Sequence, residues 1–378
     1  MNPARSAAGA IAPVASTKRK VVVFGPSLDA VSGVSTHVRM LFASDLARDY
    51  DLLHFQVGSE GRRENALRKA MRFTLSPFQL AFFLLRTGTE AVHMNVSLDP
   101  KSYWRDLVYS IVARLLGRRV VNQIHGGAMP QDFFRGNAFL IWLLRRFLVS
   151  SDVVTVLSSA ELVAYRAFDS RINVHLIPNA IDPVGLADQM RRYNTDGPLK
   201  LVYVGRLVRS KGLFELIDAL AELKRAGRQF KLSIAGGGPD QSELTAALER
   251  AGLADRVRFL GSVFAEEKCR LWLDSDLFVF PTMHNEGLPY SLLEAMAAGC
   301  VPVTTPVAAI PDVMRDGEHG LFVPARNAGA LANAVAALDD DRERLIRMAD
   351  AARRRVREQY TVTRLANDFR KLYSACLA

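Results

Sequence analysis

Two glutamates, Glu286 and Glu294, stand with seven residues between them in FPTMHNEGLPYSLLEAMAAGCVPV, residues 280–303. The pattern predicts a strand ending at Thr282, a loop carrying Glu286, Gly287 and Leu288, and a helix starting near Pro289 or Tyr290. Proline is tolerated there because its missing N–H would lack a helical partner anyway. Glu294 then falls in the first turns of that helix. A helix N-terminus offers unpaired N–H groups and a positive dipole end, which together suit phosphate. Carboxylates flanking it accept charge-assisted hydrogen bonds from ligand hydroxyls such as those of a sugar or a ribose. The plain alternative makes Glu286 a solvated loop acid and Glu294 a dipole-complementing acid.

A second block, LVYVGRLVRSKG (201–212), places Arg206 and Lys211 between a predicted strand end at Gly205 and a helix. Two cations beside a helix start can clamp a diphosphate and stabilise the charge that builds on it as a leaving group. Arg209 is the member most easily idle. The glycine–lysine order of a Walker loop is absent. AGGGPD (235–240) lacks the spacing of a dinucleotide fingerprint, so no nicotinamide or flavin cofactor is expected. Asp274-Ser275-Asp276 has an Asp-x-Asp spacing, but it precedes a strand, where capping or solvation suits it better than a metal. No metal site is expected elsewhere. His125 in QIHGG (123–127) and His93 in AVHMNV both read as strand-end residues, and His284 lies beside Glu286.

Elements that can position these residues alternate along the chain. KVVVFG, DLLHFQV, AVHMNV, RVVNQIH and VVTVLS read as strands, with a helix from about Thr36. After a Pro- and Asn-bearing stretch (179–198), strands LKLVYVG, KLSIAG, VRFLG, LFVFPT, VPVTT and GLFVP interleave with helices. Two helical patterns close the chain, at 327–338 and 341–376, the second broken near Tyr360. Strands that alternate with helices predict mostly parallel sheets covered on both faces, with ligands at the strands' carboxyl ends. The expected fold class is α/β, with two Rossmann-like doubly wound domains facing across a cleft. The expected boundaries are a disordered tail (1–17), a first domain (18–178), a linker (179–198), a second domain (199–360) and a terminal helix (361–378).

With 378 residues, 49% hydrophobic and 23% charged, the chain has the composition of a globular protein with large cores. Cys269, Cys300 and Cys376 are too few and too scattered for a disulfide framework, which points to a reducing compartment and a cytoplasmic location. No apolar run of about 18 residues predicts a transmembrane helix. The net charge of +10 is uneven, at +9 over residues 1–180 and +1 over the rest. A basic first half suggests an anionic partner. No nucleic-acid-binding motif is recognisable. Residues 62–86 and 138–151 combine arginines with phenylalanines and Trp142. Such amphipathic helices either cover the first sheet or lie on anionic headgroups at the inner face of a cell membrane, where each basic residue contributes about 1 kcal/mol.

These blocks, together with LIPNAID (176–182) and VRFLG (257–261), resemble the retaining nucleotide-sugar transferases of glycosyltransferase family 4, which have the GT-B fold. The resemblance is clearest over residues 175–325. It implies that Glu286 sits at the donor sugar, that Glu294 holds the ribose hydroxyls, and that Arg206 and Lys211 bind the diphosphate. Backbone N–H groups of Gly287 and Leu288 would face donor phosphate or sugar, with Gly236 in a turn on the nucleotide side. Ser32-Gly33-Val34 is similar to the family's glycine loop, with Ser32 in place of the first glycine, and Gly33 would approach the diphosphate from the opposite domain. His125 resembles the first-domain histidine that borders the reacting carbon. The implied co-substrate is a nucleotide-diphosphate sugar, with no further cofactor. The implied acceptor is a saccharide or a lipid-linked sugar, as in bacterial exopolysaccharide, lipopolysaccharide or glycolipid assembly. A sugar phosphorylase, a nucleotide-sugar epimerase or a non-catalytic subunit of a polysaccharide-assembly complex are the alternatives.

Overall fold

The computed structural model describes residues 18–59, 65–182, 191, 193, 195–284 and 287–378, without the side chains of 66–70. The tail at 1–17, half of the 179–198 stretch and Glu286 lie outside the described residues. The first half runs β1 (Arg19–Gly25), α1 (Gly33–Ala43), α2 (Leu46–Asp49), β2 (Tyr50–Gln56), α3 (Ala66–Thr87), β3 (Ala91–Leu98), α4 (Pro100–Leu115), β4 (Arg119–Gly127), α5 (Ala138–Ser150), β5 (Val153–Val156), α6 (Ser159–Phe168) and β6 (Val174–Leu176). The second runs β7 (Leu199–Val204), α7 (Leu213–Arg225), β8 (Phe230–Ala235), α8 (Gln241–Arg250), β9 (Val257–Gly261), α9 (Ala265–Leu273), β10 (Leu277–Phe280), α10 (Tyr290–Ala298), β11 (Val301–Thr304), α11 (Ile310–Val313), β12 (Leu321–Phe322) and α12 (Ala328–Asp340), followed by α13 (Arg342–Gln359) and α14 (Val362–Leu377).

The strands form two six-stranded sheets, ordered β2-β1-β3-β4-β5-β6 and β12-β11-β10-β7-β8-β9. Every neighbouring pair is parallel, from Arg19↔Tyr50 at one edge of the first sheet to Thr304↔Phe322 at one edge of the second. The order reverses between β1 and β3 and between β7 and β10, and crevices open at such switch points. The apolar run along β1 explains why the first sheet is covered twice. Val22 and Phe24 join the core under α3–α6, whereas Val21 and Val23 join a core with α1 and α14.

α14 follows the second sheet in sequence but packs on the first. Leu365, Ala366, Phe369, Leu372 and Tyr373 recur at helical spacing, and all are buried against Val21, Val23, Val38 and Leu41. The chain crosses between the sheets at two stitched points. The Ile181 N–H donates to Tyr360 O at 2.9 Å, and the Val362 N–H donates to Ile181 O at 3.2 Å. Arg364 adds donations to the carbonyls of Pro178 and Asn179 at 2.8 and 3.0 Å.

Boundaries differ from the sequence reading at a few ends. α1 begins at Gly33 rather than near Thr36, because Ser32 caps it by accepting the Ser35 N–H. β7 and β10 stop at Val204 and Phe280, one and two residues short of the expected ends. α9 has no stated bounds in the sequence reading; its AEEKCRLWL run buries only Trp272. Because Phe369 is wholly buried in the core that α14 shares with the first sheet, Phe369→Ala is expected to cost about 3–5 kcal/mol. Urea unfolding followed by circular dichroism measures it.

Candidate functional site

A cavity of about 1340 Å³ opens between the carboxyl ends of the two sheets. Gly33, His125, Arg206, Lys211, Gly236, Gly287, Leu288 and Glu294 all line it. Ser32 lines it too, in an extended backbone (φ −150°) that needs no glycine.

The cation loop is built on backbone contacts. Arg206 follows β7, and its carbonyl accepts the hydroxyl of buried Tyr203 at 3.0 Å. The Leu207 N–H donates to Gly237 O at 3.0 Å, tying this loop to the glycine turn after β8. Gly236 is left-handed (φ +131°), and a Cβ there would fall 1.9 Å from Gly205 O. Gly212, also left-handed (φ +74°), leads α7, and a Cβ there would fall 2.0 Å from Pro281 O. The glycines are thus demanded by the approach of three loops to one another. Lys211, between Arg206 and Gly212, has its Nζ 5.5 Å from the Phe280 ring centroid. Burial, with the neighbouring Arg206 charge adding to it, pulls the Lys211 ammonium down to about 8.

Arg209 turns away, ion-paired with Glu243 and with its guanidinium 4.0 Å over the Phe214 ring. His284 is absent from the cavity lining; its N–H bonds Thr282 Oγ1 at 3.2 Å. Burial and the nearby Lys211 charge lower its imidazole pKa.

Opposite stands α10. Pro289 at its N-cap supplies no side-chain bond, so the helix start faces the cavity with its backbone N–H groups. Glu294 lies one turn in, and two residues of α9 hold it. Lys268 Nζ lies 2.7 Å from its carboxylate and Trp272 Nε1 donates at 3.3 Å. Sequence reasoning missed this pair, although Lys268 and Trp272 sit four apart, on one face of a helix. Gly287 lies against the first half, since a Cβ there would meet Leu157 Cδ1 at 2.8 Å and His125 O at 3.2 Å. The Leu288 carbonyl accepts the Asn179 amide at 2.8 Å.

On the first-sheet side, Asn95 donates through Nδ2 to Phe24 O at 2.6 Å, which leaves its Oδ1 to accept from His125 Nε2 at 2.6 Å. The proton of His125 therefore sits on Nε2. Burial, then the neighbouring His93, pushes the His125 pKa down to about 3, so the ring is neutral at ordinary pH. His93 is not at a strand end. β3 runs on to Leu98, and His93 lies within the sheet, wholly buried between the Tyr373 hydroxyl at 2.6 Å and Gln123 Oε1 at 3.0 Å. Asp276 of the Asp-x-Asp pair neither caps a helix nor meets solvent. It is buried, accepts the Lys200 N–H at 2.9 Å and lies 3.6 Å from Arg191. Among the described residues no cluster of His, Cys, Asp and Glu has metal-ligand geometry.

The glycosyl transferases group 1 family profile matches residues 188–355. A GDP-mannose-dependent α-(1-6)-phosphatidylinositol monomannoside mannosyltransferase of Mycobacterium tuberculosis is 32% identical over 238 residues, 59% of this chain and 62% of its own length. The amylovoran biosynthesis glycosyltransferase AmsK of Erwinia amylovora is 31% identical over 320 residues, 82% of this chain and 74% of its own. Sucrose-phosphate synthase from Thermosynechococcus elongatus superposes with a TM-score of 0.77 at 18% identity, covering 95% of this chain and 99% of that one. Anabaena HepE in complex with UDP-glucose superposes at 0.75 and 16%, covering 94% and 99%. The two facing parallel sheets are the GT-B fold, and the chain belongs to the group 1 glycosyltransferases.

Proposed function

We propose that this chain is a retaining glycosyltransferase that moves a sugar from a nucleotide-diphosphate donor to an acceptor hydroxyl in polysaccharide or glycolipid assembly. The observation that carries the reading is the convergence of Arg206, Lys211, Glu294 and the α10 N-terminus on one cavity that also holds Gly33 and His125. The relatives' own descriptions name a GDP-mannose donor and a bound UDP-glucose, and a nucleotide-sugar donor for this chain agrees with both. The second half (199–360) would carry the donor, and the first (18–178), with the terminal segment 361–378, the acceptor.

Arg206 and Lys211 would neutralise the diphosphate, and the α10 N–H groups would approach its oxygens. Glu294, preset by Lys268 and Trp272, would take the ribose hydroxyls, and Glu286 and the Gly287–Leu288 backbone the sugar. Inversion needs a general base across the reacting carbon. A His125 that titrates near 3 is a poor one at neutral pH. Retention needs none, because a leaving phosphate oxygen can accept the proton of a hydroxyl attacking from the same face. His125 would instead border the sugar as a neutral ring.

A lipid-linked acceptor is favoured by one surface. α3 buries Leu80 and Leu84 against the first sheet, yet exposes Phe73, Phe78, Phe82 and Leu85. The sheet-covering reading of this segment is therefore half the answer. On the same layer α5 exposes Phe139 and Trp142, whose rings stack at 5.9 Å. Arg72, Arg86, Arg145 and Arg146 lie along these two helices. Apolar rings among arginines fit an anionic bilayer surface. No helix among the described residues is long and apolar enough to cross a membrane.

Arg206→Ala or Lys211→Ala is expected to lower kcat by about a hundredfold or more, with the unfolding midpoint nearly unchanged. Wild-type turnover in both would refute the clamp. The product's anomeric configuration, read by NMR, should equal the donor's; an inverted product would overturn retention. Because Lys211 sits near 8, its charged form is lost as pH rises through that value. A bound diphosphate favours the charged form, so affinity for a nucleoside diphosphate should weaken by up to about tenfold between pH 7 and 9. Calorimetric titration at both pH values tests this, and equal affinities would place Lys211 off the diphosphate. Phe78→Ser with Phe82→Ser should abolish sedimentation with vesicles containing anionic phospholipid; failure of the wild type to sediment would remove the membrane reading.

A further inference from the structure

One contact between the two halves has no role in the scheme above. Tyr290 is the first residue of α10, and it lines the cavity. Its hydroxyl lies 3.3 Å from Nδ1 of His37 on α1. Its ring faces Gly33, where a Cβ would stand 3.7 Å from Cδ2 and 3.8 Å from Cε2. His37 is wholly buried, with the Gln123 side chain beside its ring. Its ring stands at 67° to that of His125, with centroids 4.9 Å apart. Tyr290, together with Gln123, therefore restrains the rotation of a ring that packs directly on His125.

The contact also sets a distance. α1 starts at Gly33 and α10 at Tyr290, and both starts line the same cavity. Two positive helix ends repel each other, and an anion between them is attracted to both. Bringing them together before the anion arrives requires an attraction that does not depend on charge. A hydroxyl–imidazole hydrogen bond and a ring against a glycine provide one.

We infer that Tyr290 and His37 are positioning residues, which hold the α10 N-terminus against α1 at the spacing a diphosphate spans and back the His125 ring that Asn95 orients. The inference rests on the glycosyltransferase reading and adds to it two residues that contact one another across the cleft. Neither is required to touch the reacting atoms.

Tyr290→Phe removes the hydroxyl and keeps the ring on Gly33. Its kcat should fall roughly fivefold to tenfold, as for loss of one neutral hydrogen bond, with donor KM within about twofold. His37→Ala should lower kcat as well, and the double variant should be no slower than the slower single one. Wild-type kcat in Tyr290→Phe, or additive losses in the double variant, would overturn the inference. If His37→Ala does not fold, Tyr290→Phe still decides. Hydrogen exchange at the α1 amides reads the contact with no substrate present, and it should be faster in Tyr290→Phe than in the wild type. Unchanged exchange overturns the contact, whatever the activity. Faster exchange in a chain that transfers no sugar supports the contact and overturns the glycosyltransferase reading.

Discussion

The carbonyl of Pro281 occupies the space that a side chain at position 212 would need. That approach couples the loop after β7 to the loop after β10, and the Met283 N–H, donating to Ser210 O at 2.8 Å, repeats the coupling two residues on. Gly236 presses the β8 turn onto Gly205 in the same way. Three strand ends are thereby drawn into one backbone surface, and the side chains that leave it (Arg206, Lys211 and, from α10, Glu294) have little choice of direction. A parallel sheet delivers its carboxyl ends to one edge. It takes absent β-carbons to let the loops beyond that edge touch.

Charge is distributed over this surface in two layers. Lys211 is crowded by burial and by Arg206, so the site concentrates positive charge that an anion would relieve. Glu294 is the reverse case. Its charge is already matched by Lys268, with Trp272 as a second donor, so the carboxylate is aimed before any ligand arrives. Preorganisation of this kind is where polar sites differ from solvated charges of the same number and sign. The histidines on the other wall follow a third rule. Three of them, His37, His93 and His125, are packed closely together, and burial, reinforced at His37 and His125 by the neighbouring rings, holds all three below their usual pKa. They serve as neutral hydrogen-bonding rings.

Besides Tyr290 and His37, the two halves meet through smaller groups. Gly287 rests on Leu157 and the His125 carbonyl, Asn179 bonds the Leu288 carbonyl, and Ser159 donates to the Asp312 carboxylate through both its N–H, at 2.6 Å, and its hydroxyl, at 2.5 Å. α14 returns to the first sheet, so each half is tied to the other at the crossing beside Ile181 and Thr361. Contacts between groups this small make the width of the cleft sensitive to single side chains.

What the sequence determined by itself were the features that depend on near neighbours. Valine-rich strands alternating with helices gave the two sheets. A glycine-bracketed run from Gly205 to Gly212 kept Arg206 and Lys211 together, and a proline at a helix start set Glu294 one turn beyond it. Arg209 as the idle cation and His125 as the cleft histidine were already favoured there; how deeply His93 is buried and what holds Glu294 were decided only by the tertiary structure. His93 and His125 both read as strand-end residues in the sequence, with only His125 followed by two glycines. Register separates them, since β3 continues five residues past His93 and buries it, whereas His125 stands near the end of β4. Lys268 and Trp272 reach Glu294 from 26 and 22 residues away. His37 and Tyr290 meet across 253 residues of chain. Local propensity carries no information about such pairs, because their distance is set by how two separately folded sheets come to rest against each other.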